Sequence, residues 1–293
     1  MLDTIDLTRR FGEATVVDRV TLSVPAGRLT GFVGANGAGK TTTMRMVMGV
    51  LGIHGGRVLW DGRDITPHDR RRFGYMPEER GLYPKQPVLD QLVYLGVLAG
   101  VRPGPARSAA LELLDRFGLA DRAASRVEKL SLGNQQRVQV LAAVLADPVA
   151  LVLDEPFSGL DPVAVDAMTD LLREHTRRGV PVLFSSHQLD LVDRLCDRLV
   201  IMARGRVVAA GTADELRRGS AQRYRLLLGG DAGWTRDFPG VHVVDVQGPQ
   251  AVLELLDAGV ERALLGEALR RGTVREFSPV VPALSELYRE VAA

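Results

Sequence analysis

The stretch Gly34-Ala-Asn-Gly-Ala-Gly-Lys-Thr41 decides how the rest of this sequence is interpreted, because it matches the pattern G-x-x-x-x-G-K-[ST] in full. Glycines let the backbone wrap closely, so that successive N–H groups point at phosphate oxygens in front of a helix N-terminus. The motif predicts that Lys40 reaches the β- and γ-phosphates and that the Thr41 hydroxyl ligates Mg²⁺. The residues expected to contact the phosphates are Gly34, Asn36, Gly37, Ala38, Gly39, Lys40, Thr41 and Thr42.

The segments around the loop have the character that this motif requires. Leu29 to Val33 is a short apolar run typical of a strand, and Thr41 to Met48 has the pattern of a helix. Leu2 to Thr8 and Val16 to Val24 predict two earlier strands, and Arg57 to Trp60 predicts a hairpin with the turn after it. A strand, a glycine loop and a helix in this order indicate an α/β fold. No G-x-G-x-x-G occurs in the loop, which excludes the dinucleotide fingerprint.

A second element of phosphate chemistry is Leu151-Val-Leu-Asp-Glu-Pro156. An apolar strand that ends in two carboxylates presents them at the carboxyl edge of a parallel sheet, where ligands of α/β proteins bind. We expect Asp154 to hold Mg²⁺ through its water shell, and Glu155 to orient or deprotonate the attacking water. An apolar run before Asp-Glu is common by itself, but it is far more specific when a glycine loop precedes it.

Helical and strand patterns alternate between and after these motifs. Residues 88–146 have helical spacing and predict a helical insertion at about 80–146. Strand patterns return at Ala150 to Leu153, Pro181 to Ser185 and Leu199 to Met202, with helical segments between them. The alternation predicts a mainly parallel core sheet with helical crossovers, beside an antiparallel β part.

The last part of the chain predicts a second domain after a boundary near Gly219-Ser220. The expected first domain covers residues 1–218, and the expected small C-terminal α/β domain covers 221–293. The predicted elements of the second domain are strands at Tyr224 to Leu228, Val241 to Val246 and Ala251 to Leu255, a helix at Val260 to Arg271, a strand at Val274 to Phe277 and a helix at Pro282 to Val291.

Composition and charge exclude several classes of protein. With 46% hydrophobic and 25% charged residues the chain is globular, and its net charge of +1 offers no basic tract for nucleic acid. The single cysteine, Cys196, excludes a disulfide framework and a cysteine-based zinc site. Apolar runs fall short of the ~20 residues of a membrane helix, and Met1 to Arg10 lacks the apolar core of a signal peptide. We expect a cytoplasmic chain that works at a membrane only where a partner supplies the spans.

A third motif brings in a family. Leu130-Ser-Leu-Gly-Asn-Gln-Gln-Arg137 resembles the signature of ATP-binding cassette (ABC) proteins, whose common form is L-S-G-G-Q. Ser158-Gly-Leu-Asp161 resembles the D-loop of that family, and Ser185-Ser-His187 resembles its switch histidine. Phe11 lies where the family places an aromatic residue that stacks on adenine. The order and spacing of these motifs are similar to the family over residues 2–216.

The resemblance implies the fold of a P-loop NTPase cassette and an ATPase that uses ATP and Mg²⁺, with His187 as a catalytic residue beside Glu155. In this family two cassettes dock head to tail around ATP. Ser131, Gly133 and the D-loop residue Asp161 are therefore expected to bind the nucleotide held by the other subunit, with a helix N-terminus facing the γ-phosphate. The second cassette is either an identical chain or a different one.

The chain departs from the family's pattern at three positions. Leu132 replaces a signature glycine and Asn134 replaces the glutamine, yet function is expected to persist because Ser131 and Gly133 remain. Glu78 stands where the family usually has a glutamine that senses Mg²⁺ and the attacking water. A carboxylate ligates Mg²⁺ but donates no hydrogen bond when ionised, so Glu78 is expected to serve as a metal ligand and a catalytic residue.

Two functions follow from the resemblance. The Glu-Glu-Arg-Gly form after Met76 resembles the cassette subunits of multidrug- or sodium-efflux-type bacterial exporters, which implies an ATPase that powers a separate membrane permease from the inner face of the membrane. The alternative is a soluble cassette ATPase acting on translation or DNA. Soluble translation factors of the family carry two cassettes in one chain, whereas this sequence has one. Repair members of the family carry long coiled coils or zinc modules, and this sequence has neither.

The contact with a permease is expected in the helical insertion, around Arg80 to Leu95. Leu82, Tyr83, Val88 and Leu89 are the residues expected to line an apolar groove there, the alternative for each being a place in the core of the cassette itself.

Overall fold

The computed structural model describes residues 1–79, 81–218, 223–257, 259–280, 284–286 and 288. The chain divides into two compact units, Met1–Ala213 and Asp214–Glu290. The strands are β1 (Leu2–Phe11), β2 (Ala14–Val24), β3 (Leu29–Val33), β4 (Gly55–Trp60), β5 (Arg63–Asp64), β6 (Phe73–Met76), β7 (Ala150–Leu153), β8 (Val182–Ser186), β9 (Arg198–Ala203), β10 (Arg206–Gly211), β11 (Arg223–Leu228), β12 (Val241–Gln247), β13 (Gln250–Leu255) and β14 (Val274–Val280). The helices are α1 (Lys40–Val47), α2 (Pro67–Arg70), α3 (Val88–Leu98), α4 (Pro103–Arg116), α5 (Leu132–Val144), α6 (Pro162–Arg177), α7 (Leu189–Leu195), α8 (Ala213–Arg218) and α9 (Val260–Arg271).

A parallel sheet forms the centre of the first unit, in the strand order β10-β9-β3-β8-β7-β6. The strands β9, β3, β8, β7 and β6 run parallel, and only the edge strand β10 pairs in the antiparallel direction. Every residue of β3, β7 and β8 is buried, which explains why their sequences are apolar without alternation. The predicted mainly parallel sheet is therefore confirmed, and the ends of these three strands meet at one edge.

An antiparallel sheet packs beside it in the order β2-β1-β4-β5. The predicted hairpin is formed by β4 and β5, with Trp60 paired to Arg63. Side chains of this sheet share one core with the parallel sheet and with α1, because Leu7 and Val20 are fully buried in the same cluster as Phe32 and Met44.

The predicted helical insertion consists of α3, α4 and α5. Helix α3 packs on α4 and α5, and α5 packs on β6 and β7, so that the insertion is attached to the sheet through α5. The backbones approach closely there, because a Cβ atom at Gly74 in β6 would overlap the carbonyl oxygen of Ala143 in α5.

The second unit is an antiparallel sheet in the order β12-β13-β11-β14 with α9 packed against it. Its core contains Leu226, Leu253 and Leu264, which are fully buried. The predicted strands and the helix at Val260 to Arg271 are present in this unit. The expected boundary at Gly219-Ser220, and most of the helix expected at Pro282 to Val291, lie outside the described residues; residues 284–286 and 288 are helical.

Helices long and apolar enough to cross a bilayer do not occur in the part of the chain that the structure describes. The short helix α2 and the edge strand β10 were not expected from the sequence. Strand β10 alternates exposed and half-buried residues at the sheet edge, so its pattern is weaker than that of the buried strands.

The contact between β6 and α5 gives a first prediction. Gly74→Ala should lower the free energy of unfolding by about 1–3 kcal/mol, because the added methyl group forces two backbone segments apart. Gly104→Ala in α4 is the matched control, since a Cβ atom there meets no atom within 4 Å. Urea denaturation of both variants checks this, and equal stability of the two would contradict it.

Candidate active site

The glycine loop joins β3 to α1 and needs glycine at specific positions. Gly37 and Gly39 have φ angles of +80° and +106°, in the region that favours glycine. Gly34 lies so close to Met202 that a Cβ atom would overlap its carbonyl oxygen. The loop can therefore wrap tightly around a ligand and present its N–H groups to it.

Lys40 begins α1 and lies folded over the loop. Its Nζ donates hydrogen bonds to the carbonyl oxygens of Gly34 at 2.7 Å and Ala35 at 3.2 Å, and the side chain is buried. Burial lowers the pKa of Lys40, and the carboxylates of Glu155 and Asp154 oppose that shift. A buried ammonium that donates to neutral carbonyl oxygens suits a phosphate, which supplies the full opposite charge.

Asp154 follows β7, and its two carboxylate oxygens differ in their hydrogen bonding. The Ser185 hydroxyl donates to Oδ1 in a short hydrogen bond, and the Asp154 N–H donates to the carbonyl of Met76 at 2.8 Å. Burial raises the pKa of this carboxyl group. Its Oδ2 atom is buried and has no hydrogen-bond partner among the described residues.

This unpaired oxygen fits a divalent cation, because buried carboxylate oxygens are otherwise hydrogen-bonded. The Thr41 hydroxyl, which donates to Glu78 Oε2 at 3.2 Å, lines the same cleft as Asp154 and is a second oxygen suited to such a cation. Within the described ranges no group of three or more His, Cys, Asp or Glu side chains is arranged to hold a metal ion. A cation here would therefore take its other ligands from phosphate oxygens and water.

Glu155 contacts the predicted switch histidine. Nδ1 of His187 lies 3.0 Å from Oε2 of Glu155, within hydrogen-bonding distance. The Glu155 side chain is 13% exposed and the His187 side chain is 50% exposed, so the carboxylate lies at the floor of the site and the ring at its rim.

One cleft collects most of the residues expected from the two phosphate motifs. It is lined by Val16, Asn36, Gly37, Gly39, Lys40, Thr41, Thr42, Glu78, Asp154 and Glu155. Ala38, which is part of the loop, is buried and does not line the cleft. Phe11 does not line the cleft; it is 48% exposed at the end of β1, where the Arg9 guanidinium lies 4.8 Å from the centre of its ring.

The signature residues lie elsewhere in the chain. Ser131 caps α5 by accepting a hydrogen bond from Asn134 N at 3.3 Å, and a Cβ atom at Gly133 would lie 2.9 Å from the carbonyl oxygen of Gly159. Asp161 caps α6 and accepts a hydrogen bond from Arg137 Nη2 at 2.8 Å. The structure therefore does not bring Ser131, Gly133 and Asp161 to the cleft of their own chain. Leu132 points into solvent, since it is 62% exposed.

Three residues to which the sequence assigned no role hold the backbone of the site. Ser185 accepts a hydrogen bond from Glu155 N at 2.8 Å, and Gln136 Nε2 donates to the Glu155 carbonyl at 2.8 Å. Gln139, one turn further along α5, donates to the carbonyl of Pro77 at 2.6 Å, just before Glu78. The sequence signal that could have identified them is the presence of polar residues in elements that are otherwise apolar and buried.

The expected apolar groove in the helical insertion needs correction. Leu82, Val88 and Leu89 are buried, at 8%, 0% and 8% exposure, and so belong to the core of the unit and do not line an open groove. Only Tyr83 is exposed among the four, and it forms an edge-to-face pair with the exposed Tyr94 at 6.1 Å. Arg80 lies outside the described residues.

The Ser185 contacts give a second prediction. Ser185→Ala should lower the free energy of unfolding by about 1–3 kcal/mol, because it leaves the Glu155 N–H and Asp154 Oδ1 buried without their partner. Thr30→Val is the control, since the buried Thr30 hydroxyl has no hydrogen-bond partner within the described part of the chain and its loss should be neutral or stabilising. Thermal or urea denaturation decides between the two variants; a larger loss in Thr30→Val would refute the assignment.

Comparison with known proteins identifies the family. Residues 17–158 match the family described as ABC transporter, and residues 211–292 match the family described as ATP-binding protein DrrA1-3-like, C-terminal domain. The chain is 37% identical over 289 residues to the uncharacterized ABC transporter ATP-binding protein YhaQ of Bacillus subtilis (strain 168), across 98% of this chain and 97% of YhaQ. It is 35% identical over 218 residues to the Nod factor export ATP-binding protein I of Burkholderia lata, across 73% of this chain and 72% of that one.

A solved structure described as the ATP binding subunit of an ABC transporter has the same fold. It matches with a TM-score of 0.70 and 33% identity, over 75% of this chain and 92% of that one. Cassettes of this family hydrolyse ATP and work as dimers with transmembrane partners. The glycine loop and the two carboxylates at one sheet edge, together with these relatives, establish that the chain belongs to the ABC transporter ATP-binding proteins.

Proposed function

We propose that this chain is the ATP-hydrolysing subunit of an exporter, bound to a separate transmembrane permease on the inner face of the cell membrane. The observation that carries the proposal is the cleft in which the glycine loop and Lys40 face Asp154, Glu155 and Glu78. Export is supported by the relative named for Nod factor export and by the resemblance of the segment after Met76 to exporter cassettes.

The reaction at this cleft is the transfer of the γ-phosphoryl group of ATP to water. Water attacks the γ-phosphorus, the bond to the bridging oxygen breaks, and ADP and phosphate leave. Glu155 accepts the proton of the attacking water, and His187, 3.0 Å away, holds the carboxylate in place. Lys40 exchanges the carbonyl oxygens of the loop for the β- and γ-phosphate oxygens.

In this proposal Thr41, Asp154 and Glu78 would hold Mg²⁺ through their side-chain oxygens. When bound, it neutralises charge on the phosphate oxygens. The unpaired, buried Oδ2 atom of Asp154 supports this assignment. Phe11 contributes an exposed aromatic face for the adenine ring, in keeping with its place in the sequence.

Two copies of the cassette, identical or related, would complete each site. Ser131 is exposed at the N-terminus of α5, and it lies outside the cleft of its own chain. The N-terminus of a 13-residue helix carries partial positive charge, which suits the γ-phosphate bound by the opposite chain. Gly133 of the signature and Asp161 of the D-loop motif would lie with Ser131 at that interface.

The two parts of the chain take separate roles in this proposal. Residues 1–218 form the nucleotide-binding domain, because every motif of phosphate chemistry precedes Gly211. Residues 221–293 form an accessory domain, which the match to the C-terminal domain of another ATP-binding protein supports. A soluble role in translation or on DNA is the alternative, and the net charge of +1 gives it no support.

The three carboxylates should differ on substitution. Glu155→Gln removes the base and keeps the size of the side chain, so the hydrolysis rate should fall by ~10²–10⁴-fold while ATP stays bound. Asp154→Asn should weaken activity at low Mg²⁺ and recover partly at high Mg²⁺. Glu78→Gln restores the commoner residue of the family and should change the rate by no more than about tenfold.

Single-turnover hydrolysis across a Mg²⁺ titration measures all three variants. Light scattering follows the dimer, which should persist in Glu155→Gln with ATP. If Glu78→Gln abolishes turnover and Glu155→Gln remains near wild type, the base has been assigned to the wrong carboxylate.

We expect the exposed pair of Tyr83 and Tyr94 to contact the permease. Tyr83→Glu should uncouple hydrolysis from the membrane partner while the isolated chain keeps its stability, because Tyr83 is 49% exposed. Leu82→Glu, next in sequence but 8% exposed, should unfold the chain instead. Leu111→Glu is the matched exposed control on α4.

The measurement is co-purification of the tagged chain with a membrane protein and ATPase stimulation by that protein. Tyr83→Glu should lose both, and Leu111→Glu should keep both. Recovery of ribosomes or DNA in place of a membrane protein would support the alternative function.

A further inference from the structure

The backbone of Glu155 is held in an uncommon conformation. Its φ angle is +52°, in the left-handed region that side chains other than glycine rarely occupy. Such a conformation persists only where the surroundings hold it. The direction of the carboxylate toward His187 depends on this backbone, because the Cα–Cβ bond turns with it.

Two buried side chains hold the backbone of this residue, one on each side of its Cα atom, and the Glu155 carbonyl also accepts a hydrogen bond from Ser158 N at 3.2 Å. Ser185 accepts from the Glu155 N–H, and Gln136 Nε2 donates to the Glu155 carbonyl oxygen, each at 2.8 Å. Ser185 and Gln136 are both buried, at 0% and 6% exposure, so water does not readily replace either contact. The two contacts come from different elements, β8 and α5.

Gln136 lies on the helix that begins at the signature. Five residues and little more than one helical turn separate it from Ser131, the N-cap of α5. A helix transmits a shift of one end to the other because its hydrogen-bonded backbone is stiff. The end of α5 that would face the ATP of the opposite chain is thus connected, through Gln136, to the backbone of Glu155 in its own cleft.

We propose that Gln136 is a positioning residue for Glu155. Its amide fixes the Glu155 backbone, so the position of the signature helix sets the direction in which the Glu155 carboxylate points. The proposal rests on the proposed role of Glu155 as the base. Gln136 does not line the cleft and acts through Glu155. A purely structural glutamine would contribute only to stability.

Gln136→Leu in the full-length chain separates these roles. Leucine keeps the bulk and removes the amide, so the single-turnover rate should fall about 10- to 100-fold, as for a misplaced catalytic group. ATP affinity should stay within about twofold, because the glycine loop is untouched. The ATP-bound dimer should live longer, as in Glu155→Gln. The double variant Gln136→Leu/Glu155→Gln should hydrolyse ATP no more slowly than Glu155→Gln alone.

Gln91→Leu is the matched control. Gln91 is a fully buried glutamine on α3 that accepts a hydrogen bond from the Tyr83 N–H at 2.6 Å, away from the cleft. Its loss should lower stability and leave single-turnover hydrolysis within about twofold of wild type. Gln136→Asn, which keeps an amide but is one methylene too short, provides a second variant should Gln136→Leu fail to fold, and it should show the same defect.

The outcomes separate the two proposals. If Glu155→Gln is slow and the Gln136 variants hydrolyse ATP at the rate of Gln91→Leu, the positioning role is overturned and the function of Glu155 stands. A shorter-lived dimer with unchanged single-turnover chemistry also overturns it, because Gln136 would then serve the signature alone. If Glu155→Gln itself remains near wild type, both proposals fall.

Discussion

The parallel pairing of β3, β7 and β8 is the constraint on which the rest of the site depends. Parallel strands deliver their carboxyl ends to one edge, so the glycine loop, the Asp154-Glu155 pair and His187 meet although they are far apart in sequence. Helix α7 packs closely on β3, and Gly31 permits this approach, since a Cβ atom there would crowd Val192 and Cys196. The packing of the sheet thus sets the geometry of the chemistry.

Burial of charge gives the cleft its affinity for phosphate. Lys40 is buried with its ammonium on carbonyl oxygens, and Asp154 is buried with one oxygen unpaired. Burial favours the neutral form of each group, so it lowers the pKa of Lys40 and raises the pKa of Asp154. In the proposed function a triphosphate with a cation would supply the missing partner to both groups, and phosphoryl transfer depends on such charge neutralisation and positioning.

Helix α5 links the parts of the molecule that the reaction has to coordinate. Its N-terminus carries Ser131 and Gly133, and its next turns carry Gln136 and Gln139, whose amides hold the backbone of the Glu155 and Glu78 segments. The same helix is packed against β6 so closely that Gly74 has no room for a side chain. Sheet, signature and carboxylates are therefore connected through one stiff element.

The sequence by itself determined the local parts of this protein. The glycine loop and the buried strands were predictable because a loop conformation and a fully apolar strand depend on contiguous residues. Tertiary structure alone decided that Leu82 is buried while its neighbour Tyr83 is exposed, because burial depends on which face of a segment meets the helices. It also decided that Gln136 and Ser185 hold Glu155, since those hydrogen bonds join residues 19 and 30 positions apart, which only the folded sheet and helix bring within reach.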